Sequence, residues 1–133
     1  MLVAVYGTLR KGEVNSPLLS NANYKGKFNS EPVYIMKSLA GDGFPGIKLE
    51  GKTSIVFEVY KVTREIVTAL DGLENYKGKD CKDNLYNRAY IHTPFGPALT
   101  YYYNKNFKVT EKLIENGDWT DYISTLPHKN LSC

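Results

Sequence analysis

Residues 53–74, Thr53-Ser54-Ile55-Val56-Phe57-Glu58-Val59-Tyr60-Lys61-Val62-Thr63-Arg64-Glu65-Ile66-Val67-Thr68-Ala69-Leu70-Asp71-Gly72-Leu73-Glu74, carry two hydrophobic periods in succession. From Thr53 to Val62 the side chains alternate. Ile55, Phe57 and Val59 fall on one face and Ser54, Val56, Glu58 and Tyr60 on the other, which predicts a strand with Glu58 on its solvent side. Thr63 then offers an N-cap, and Glu65 suits the first turn of a helix. Ile66, Val67, Leu70 and Leu73 follow at i, i+1, i+4 and i+7, the stripe of one helical face. Gly72 lowers helix propensity, so this helix, the strongest in the chain, is predicted to end near Asp71-Gly72-Leu73-Glu74-Asn75.

Working outward, Leu2 to Tyr6 reads as a buried strand stopped by Gly7. Glu13 to Asn21 fits a short helix whose start is restricted by Pro17. Tyr24 to Leu39 reads as extended chain broken near Pro32, and Gly41-Asp42-Gly43-Phe44-Pro45-Gly46 as a turn cluster. Beyond the helix, the polar Tyr76 to Asn84 is a surface loop. Leu85 to Thr93 and Ala98 to Asn104 alternate as strands joined through Pro94-Phe95-Gly96-Pro97. Asn116-Gly117-Asp118-Trp119 is a turn that delivers the only Trp. About six strands and one main helix predict an α+β domain, a small mixed β-sheet curled toward a barrel with the helix packed on it.

Composition bounds the function. The 133 residues fit one domain spanning 1–133. Seventeen Lys and Arg against fourteen Asp and Glu, scattered along the chain, leave a net charge of only +3, a weak footprint for nucleic-acid binding despite Tyr101-Tyr102-Tyr103-Asn104-Lys105-Asn106-Phe107-Lys108. No run approaches the roughly 18 apolar residues that cross a bilayer. Leu2 to Tyr6 is too short for a signal-peptide core, so a soluble, cytoplasmic protein is expected. Cys81 and Cys133 make no disulfide framework, and His92 and His128 do not join them at metal-ligand spacing, so neither metal nor cofactor is expected. The eleven tyrosines fit a β-rich core, a polar pocket wall or base-stacking faces.

Three segments can carry chemistry. In Tyr6-Gly7-Thr8-Leu9-Arg10-Lys11-Gly12 the glycines have phosphate-loop spacing, but Glu13-Val14 stands where Lys and Ser or Thr are required, which excludes nucleotide hydrolysis by that loop. Such a loop still serves either as a tight turn or as a set of N–H groups aimed at a carboxylate. Glu74 lies one position beyond the apolar stripe, at the helix C-terminus. Burial and the macrodipole both raise its pKa there, as general acid–base catalysis near neutrality requires; the alternative is a solvated Glu, or one paired with Arg88 or Lys77. Tyr86 and Arg88 share a strand face, as do Tyr101 and Tyr103, either as packing or as pocket wall. No Gly-x-Ser-x-Gly turn, Cys–His pair or His-Glu-x-x-His is present, so no enzyme nucleophile stands out.

The ordered set Val5-Tyr6-Gly7-Thr8-Leu9-Arg10-Lys11-Gly12, Phe44-Pro45-Gly46, Val56-Phe57-Glu58-Val59, Leu70-Asp71-Gly72-Leu73-Glu74-Asn75-Tyr76, Tyr86-Asn87-Arg88 and Asn116-Gly117-Asp118-Trp119 resembles the gamma-glutamylcyclotransferase-like family. Within it the likeness is to gamma-glutamylamine cyclotransferase and AIG2-like proteins. It covers residues 3 to about 122. The resemblance implies a small barrel-like α+β fold with a cavity for a gamma-glutamyl group, and release of 5-oxoproline by attack of the substrate's α-amine on its own γ-carbonyl. It implies Glu74 as catalytic acid–base and Tyr6, Gly7, Thr8 and Leu9 as the glutamyl-binding loop. Tyr86 and one of Tyr101 or Tyr103, assigned as Tyr103, would line the pocket. The implied partner is a small gamma-glutamyl substrate, met by a monomer without nucleic acid, membrane or cofactor. The segment Lys77 to Leu85 is longer than in many small members and bears on which leaving amine is accepted. The rival reading is a member of the fold that binds a ligand or partner without turnover.

Overall fold

The computed structural model describes residues 1–79 and 81–126; the expectations placed on His128 and Cys133 lie outside them. Within that span the order is β1 (Leu2–Val5), a 3-10 turn (Ser16–Leu19), β2 (Asn23–Asn29), β3 (Tyr34–Leu39), β4 (Phe44–Thr53), β5 (Val56–Lys61), α1 (Arg64–Leu73), β6 (Tyr86–Ile91), β7 (Ala98–Tyr103) and α2 (Trp119–Ser124). Five strands form a mixed sheet in the order β2-β5-β1-β7-β6, with β3 and β4 as a separate antiparallel ribbon. The pairing of β1 with β7, Val3 opposite Leu99, is parallel and the other pairings are antiparallel. No helix among the described residues is long and apolar enough to cross a membrane.

The period-2 pattern of the central strands feeds two cores, because both faces of the sheet are covered. On one face Val3, Val5, Tyr60, Leu99 and Tyr101 pack beneath Val67 and Leu70 of α1. On the other, Ala4, Tyr6, Phe57, Val59 and Ala98 meet Met36 and Ile47 of the ribbon and Trp119 and Ile123 of α2. The ribbon curls the sheet toward closure where β4 meets β7. A Cβ on Gly46 would stand 2.9 Å from both Leu39 Cδ1 and Tyr103 Cβ, so only glycine permits that approach.

Several expectations need correction. Glu58 is 5 % exposed rather than on the solvent side, because Arg10 arrives over it from 48 residues away. Phe44-Pro45-Gly46 opens β4 instead of closing a turn. The turn occupies Ala40, Gly41 and Asp42, all at positive φ, and Pro45 is tolerated because β4 has only β3 as its ladder neighbour. The proposed helix over 13–21 contracts to one 3-10 turn around Pro17. The Asn116–Trp119 turn leads into α2, where the Asp118 side chain accepts from Asp121 N at 3.1 Å. Helix α1 forms as read, with Thr63 Oγ1 accepting from Ile66 N.

Candidate active site

The loop after β1 is bent by short-range hydrogen bonds and clamped by buried charge. Arg10 N donates to Gly7 O at 3.0 Å, Glu13 N to Arg10 O at 3.0 Å and Asn15 N to Thr8 O at 2.8 Å. Arg10 is 4 % exposed; its Nε donates to Glu58 Oε2 at 2.9 Å and its terminal nitrogen to Asp118 Oδ1 at 2.7 Å. Glu58 Oε1 also accepts from Lys11 N at 2.9 Å. Burial alone would raise the Asp118 carboxyl, but the Arg10 guanidinium outweighs it and holds it below its ordinary range. A desolvated charge costs stability unless its hydrogen bonds are satisfied. Here both acids that pair with Arg10 also accept a backbone N–H, Glu58 from Lys11 and Asp118 from Asp121, so the ion pairs tie the loop to β5 and α2 as well as neutralising charge. The N–H groups of Gly7, Thr8 and Leu9 donate to no acceptor among the described residues, and the three residues line a cavity. Gly7 must be glycine, since a Cβ there would lie 2.6 Å from Pro45 Cγ.

Glu74 reaches the same cavity from the end of α1. Tyr76 N donates to Asp71 O at 2.9 Å and Asn75 N to Gly72 O at 3.3 Å, with Asn75 at φ 53. This is a Schellman closure with Asn in the left-handed position, and it fixes the direction in which the preceding Glu74 leaves the backbone. No hydrogen bond or ion pair reaches the Glu74 carboxyl from the described residues, and burial lifts its pKa from 4.5 to about 7. Neither sequence-based alternative for Glu74 holds: it is largely buried, and Arg88 pairs instead with Asp71, at 2.9 and 3.1 Å to the two carboxylate oxygens.

Ala4 to Leu9, Phe44, Pro45, Glu74, Tyr86 and Tyr101 line the cavity. It contains about 350 Å³ of empty space counted out to its mouth. It is a slot suited to a narrow chain. Three phenols stand around Glu74. Tyr6 donates to Tyr101 O at 2.6 Å, Tyr86 to Pro45 O at 2.5 Å and Tyr101 to Asp71 Oδ1 at 2.6 Å. Burial, with the nearby Glu74 carboxyl among the smaller contributors, pushes all three well above their ordinary value, so they stay neutral near pH 7.

The structure therefore brings together Tyr6, Gly7, Thr8, Leu9, Glu74 and Tyr86 from the sequence-derived set. Tyr103 is the exception, and Tyr101 takes its place in the wall. Both lie on one face of β7, but Tyr103 sits at the strand end, stacked on Phe107 at 5.3 Å and edge-on to Tyr86 at 5.7 Å, and it borders an outer groove. It backs Tyr86 without reaching the slot. Sequence reading missed Asp71 and Arg10. The Asp71 position three residues before Glu74, on the same helical face, was a signal available for the first; nothing local marks the second.

Asn84 ties the described residues after α1 to each other and to β6. Asn84, fully buried, accepts from Lys77 N at 2.6 Å and donates to Gly78 O at 2.8 Å and Asn87 Oδ1 at 2.9 Å. Among the described residues no group of three His, Cys, Asp or Glu is arranged to hold a metal ion.

Comparison with known proteins follows the same span. The family described as "Gamma-glutamyl cyclotransferase, AIG2-like" matches residues 3–121. A Vibrio cholerae protein, provisionally named a gamma-glutamylcyclotransferase, is 38% identical over 92% of this chain and 97% of its own. The gamma-glutamylcyclotransferase family protein YtfP of Escherichia coli is 35% identical over 91% of this chain and 97% of its own. Its solution structure superposes with a TM-score of 0.68 over 92% of this chain and 99% of that one. The gamma-L-glutamyl-butirosin B gamma-glutamyl cyclotransferase of Niallia circulans is 33% identical over 89% of this chain and 74% of its own.

Proposed function

The chain belongs to the gamma-glutamyl cyclotransferase, AIG2-like family, and from that premise we propose that it releases 5-oxoproline from a gamma-glutamyl amine or peptide, with Glu74 as the acid–base group. The observation that carries the reading is that one narrow slot is lined by a buried carboxyl, lifted toward neutrality, and by three loop residues whose N–H groups, like that carboxyl, have no hydrogen-bond partner among the described residues.

The chemistry asks for little else. Nucleophile and electrophile belong to one molecule, and holding the glutamyl chain folded can supply effective molarities of about 10⁵ M or more. Gly7, Thr8 and Leu9 N–H groups bind the glutamyl end. Ionised Glu74 takes a proton from the α-ammonium, and the freed amine attacks the γ-carbonyl. Protonated Glu74 then gives that proton to the leaving nitrogen, and the C–N bond breaks as the ring closes. The new ring nitrogen keeps one of its three original protons; the other two end on the departing amine, the second by way of Glu74 again. A carboxyl near neutrality suits both directions of transfer. Charge on the carbonyl oxygen is met by a loop N–H, because the three phenol protons are already engaged.

In this reading the protein is a cytoplasmic monomer whose partner is a small gamma-glutamyl compound. The test is incubation with gamma-glutamyl-ε-lysine, gamma-glutamyl dipeptides and glutathione while 5-oxoproline is measured. At least one is expected to turn over, and Glu74→Gln to abolish it in a folded protein. Full activity in folded Glu74→Gln, or no product from any of these compounds, refutes the assignment.

A further inference from the structure

Of the three phenols around Glu74, two donate to main-chain carbonyls of the sheet and ribbon, Tyr6 to Tyr101 O and Tyr86 to Pro45 O. Those acceptors cannot move away. The Tyr101 hydroxyl is different: its acceptor is a side chain, Asp71 Oδ1, one helical turn before Glu74. Asp71 is itself held by Arg88, whose guanidinium lies 4.6 Å from the centre of the Tyr76 ring. Tyr101 also lines the slot with Glu74.

We propose that Asp71 is a positioning residue: it takes the Tyr101 hydroxyl, with Arg88 fixing Asp71 in turn, and so keeps that hydroxyl off the Glu74 carboxyl. The functional meaning rests on the acid–base role given to Glu74 above. A phenol donating to an ionised carboxyl stabilises the ion and lowers its pKa. Directing the hydroxyl to Asp71 leaves burial to act on Glu74 unopposed, which is the state that can exchange protons near neutrality. The groups whose charge interacts with Glu74 are Tyr6 beyond β1, Tyr86 on β6 and Tyr101 on β7. Asp71 precedes it on α1 and Tyr76 and Lys77 follow it in the chain, Arg88 on β6 acts on Asp71, Tyr76 and Tyr101, and Tyr103 lies behind Tyr86.

Removing Asp71 also removes a negative charge and releases Arg88, and both would lower the Glu74 pKa without any part played by Tyr101. A double-mutant cycle separates the two routes. The full chain, labelled with ¹³C at the glutamate carboxyls, is titrated by NMR as wild type, Asp71→Ala, Tyr101→Phe and the double variant, and the Glu74 signal is assigned by its loss in Glu74→Gln. Tyr101→Phe alone is expected to leave the Glu74 midpoint within about 0.3 pH of wild type, since its phenol donates elsewhere. Asp71→Ala is expected to lower the midpoint by about one pH unit or more, a tenfold change in acid constant, and by less than half as much in the Tyr101→Phe background. Equal falls in both backgrounds, no fall in Asp71→Ala, or a raised midpoint in Tyr101→Phe alone would each overturn the proposal. Should Asp71→Ala fail to fold by its amide spectrum, Asp71→Ser, too short to reach the phenol, takes its place in the cycle. The midpoint is read without turnover, so a Glu74 that proves non-catalytic and an Asp71 that proves uninvolved give different results.

Discussion

Replacing Glu74 with Gln should make the protein more stable at neutral pH while destroying the proposed activity. Burial lifts the folded-state pKa of Glu74 from 4.5 to about 7. The folded chain therefore holds a proton at Glu74 through a pH range in which the unfolded chain has released it. Below pH 4.5 both states are protonated and the group is neutral in its effect. As pH rises toward 7 the unfolded state ionises freely and the folded state does not, so stability falls, and above 7 the whole cost is present. Each tenfold ratio of acid constants is worth about 1.4 kcal/mol, so the cost approaches about 3 kcal/mol. Gln has nearly the same shape and no charge to desolvate. Urea unfolding of both proteins from pH 4 to 9 is expected to give curves that nearly coincide at pH 4 and diverge by about 2–3 kcal/mol in favour of Glu74→Gln at pH 8. A difference that stays flat across that range would show that the carboxyl is not held near neutrality, and the acid–base reading would lose its physical basis.

Two further outcomes follow from the loop. In Gly7→Ala the new Cβ, 2.6 Å from Pro45 Cγ, must be relieved by a shift of roughly 1 Å in the N–H groups, which should cost about 100-fold in kcat/KM for 5-oxoproline release; an unchanged value would mean that the loop does not position substrate. Glu58→Gln leaves the Arg10 charge buried with a weakened partner and should lose about 3–5 kcal/mol in urea unfolding, whereas Arg10→Met with Glu58→Gln should recover part of that; a double variant no more stable than the single one would refute the ion-pair explanation.

How much of this was legible depended on how local the cause was. Helix α1 and its cap read directly from residues 63–73, because the stripe, Thr63 and the ending at Glu74 are all set within a few turns. The candidate acid was visible for the same reason. Glu58 was misplaced because strand alternation assigns a side chain to a face and cannot say that the face is covered; the covering group, Arg10, comes from a distant loop. Tyr101 and Tyr103 were indistinguishable because alternation fixes the face and leaves open the height along the strand, and the slot opens beside only one of them. Phe44-Pro45-Gly46 carries turn chemistry by composition, yet its glycine answers to close approach of β7 and its proline to an edge.

The parallel neighbour of β1 has a consequence for the order in which the site can come into being. β1 precedes its two sheet partners in the chain, and it pairs with residues 58–61 on one side and with β7 on the other. The slot draws on 4–9, 44–45, 74, 86 and 101, so its walls span nearly a hundred positions. Contacts so far apart are slow to close because the intervening chain must be ordered first. During synthesis the loop after β1 leaves the ribosome early; Glu58 can clamp it once β5 has emerged, but the Tyr101 wall is missing until β7 follows. The pocket is thus among the last features the chain acquires, and a nascent or cleaved piece ending before β7 has the acid and the loop but no slot in which they meet.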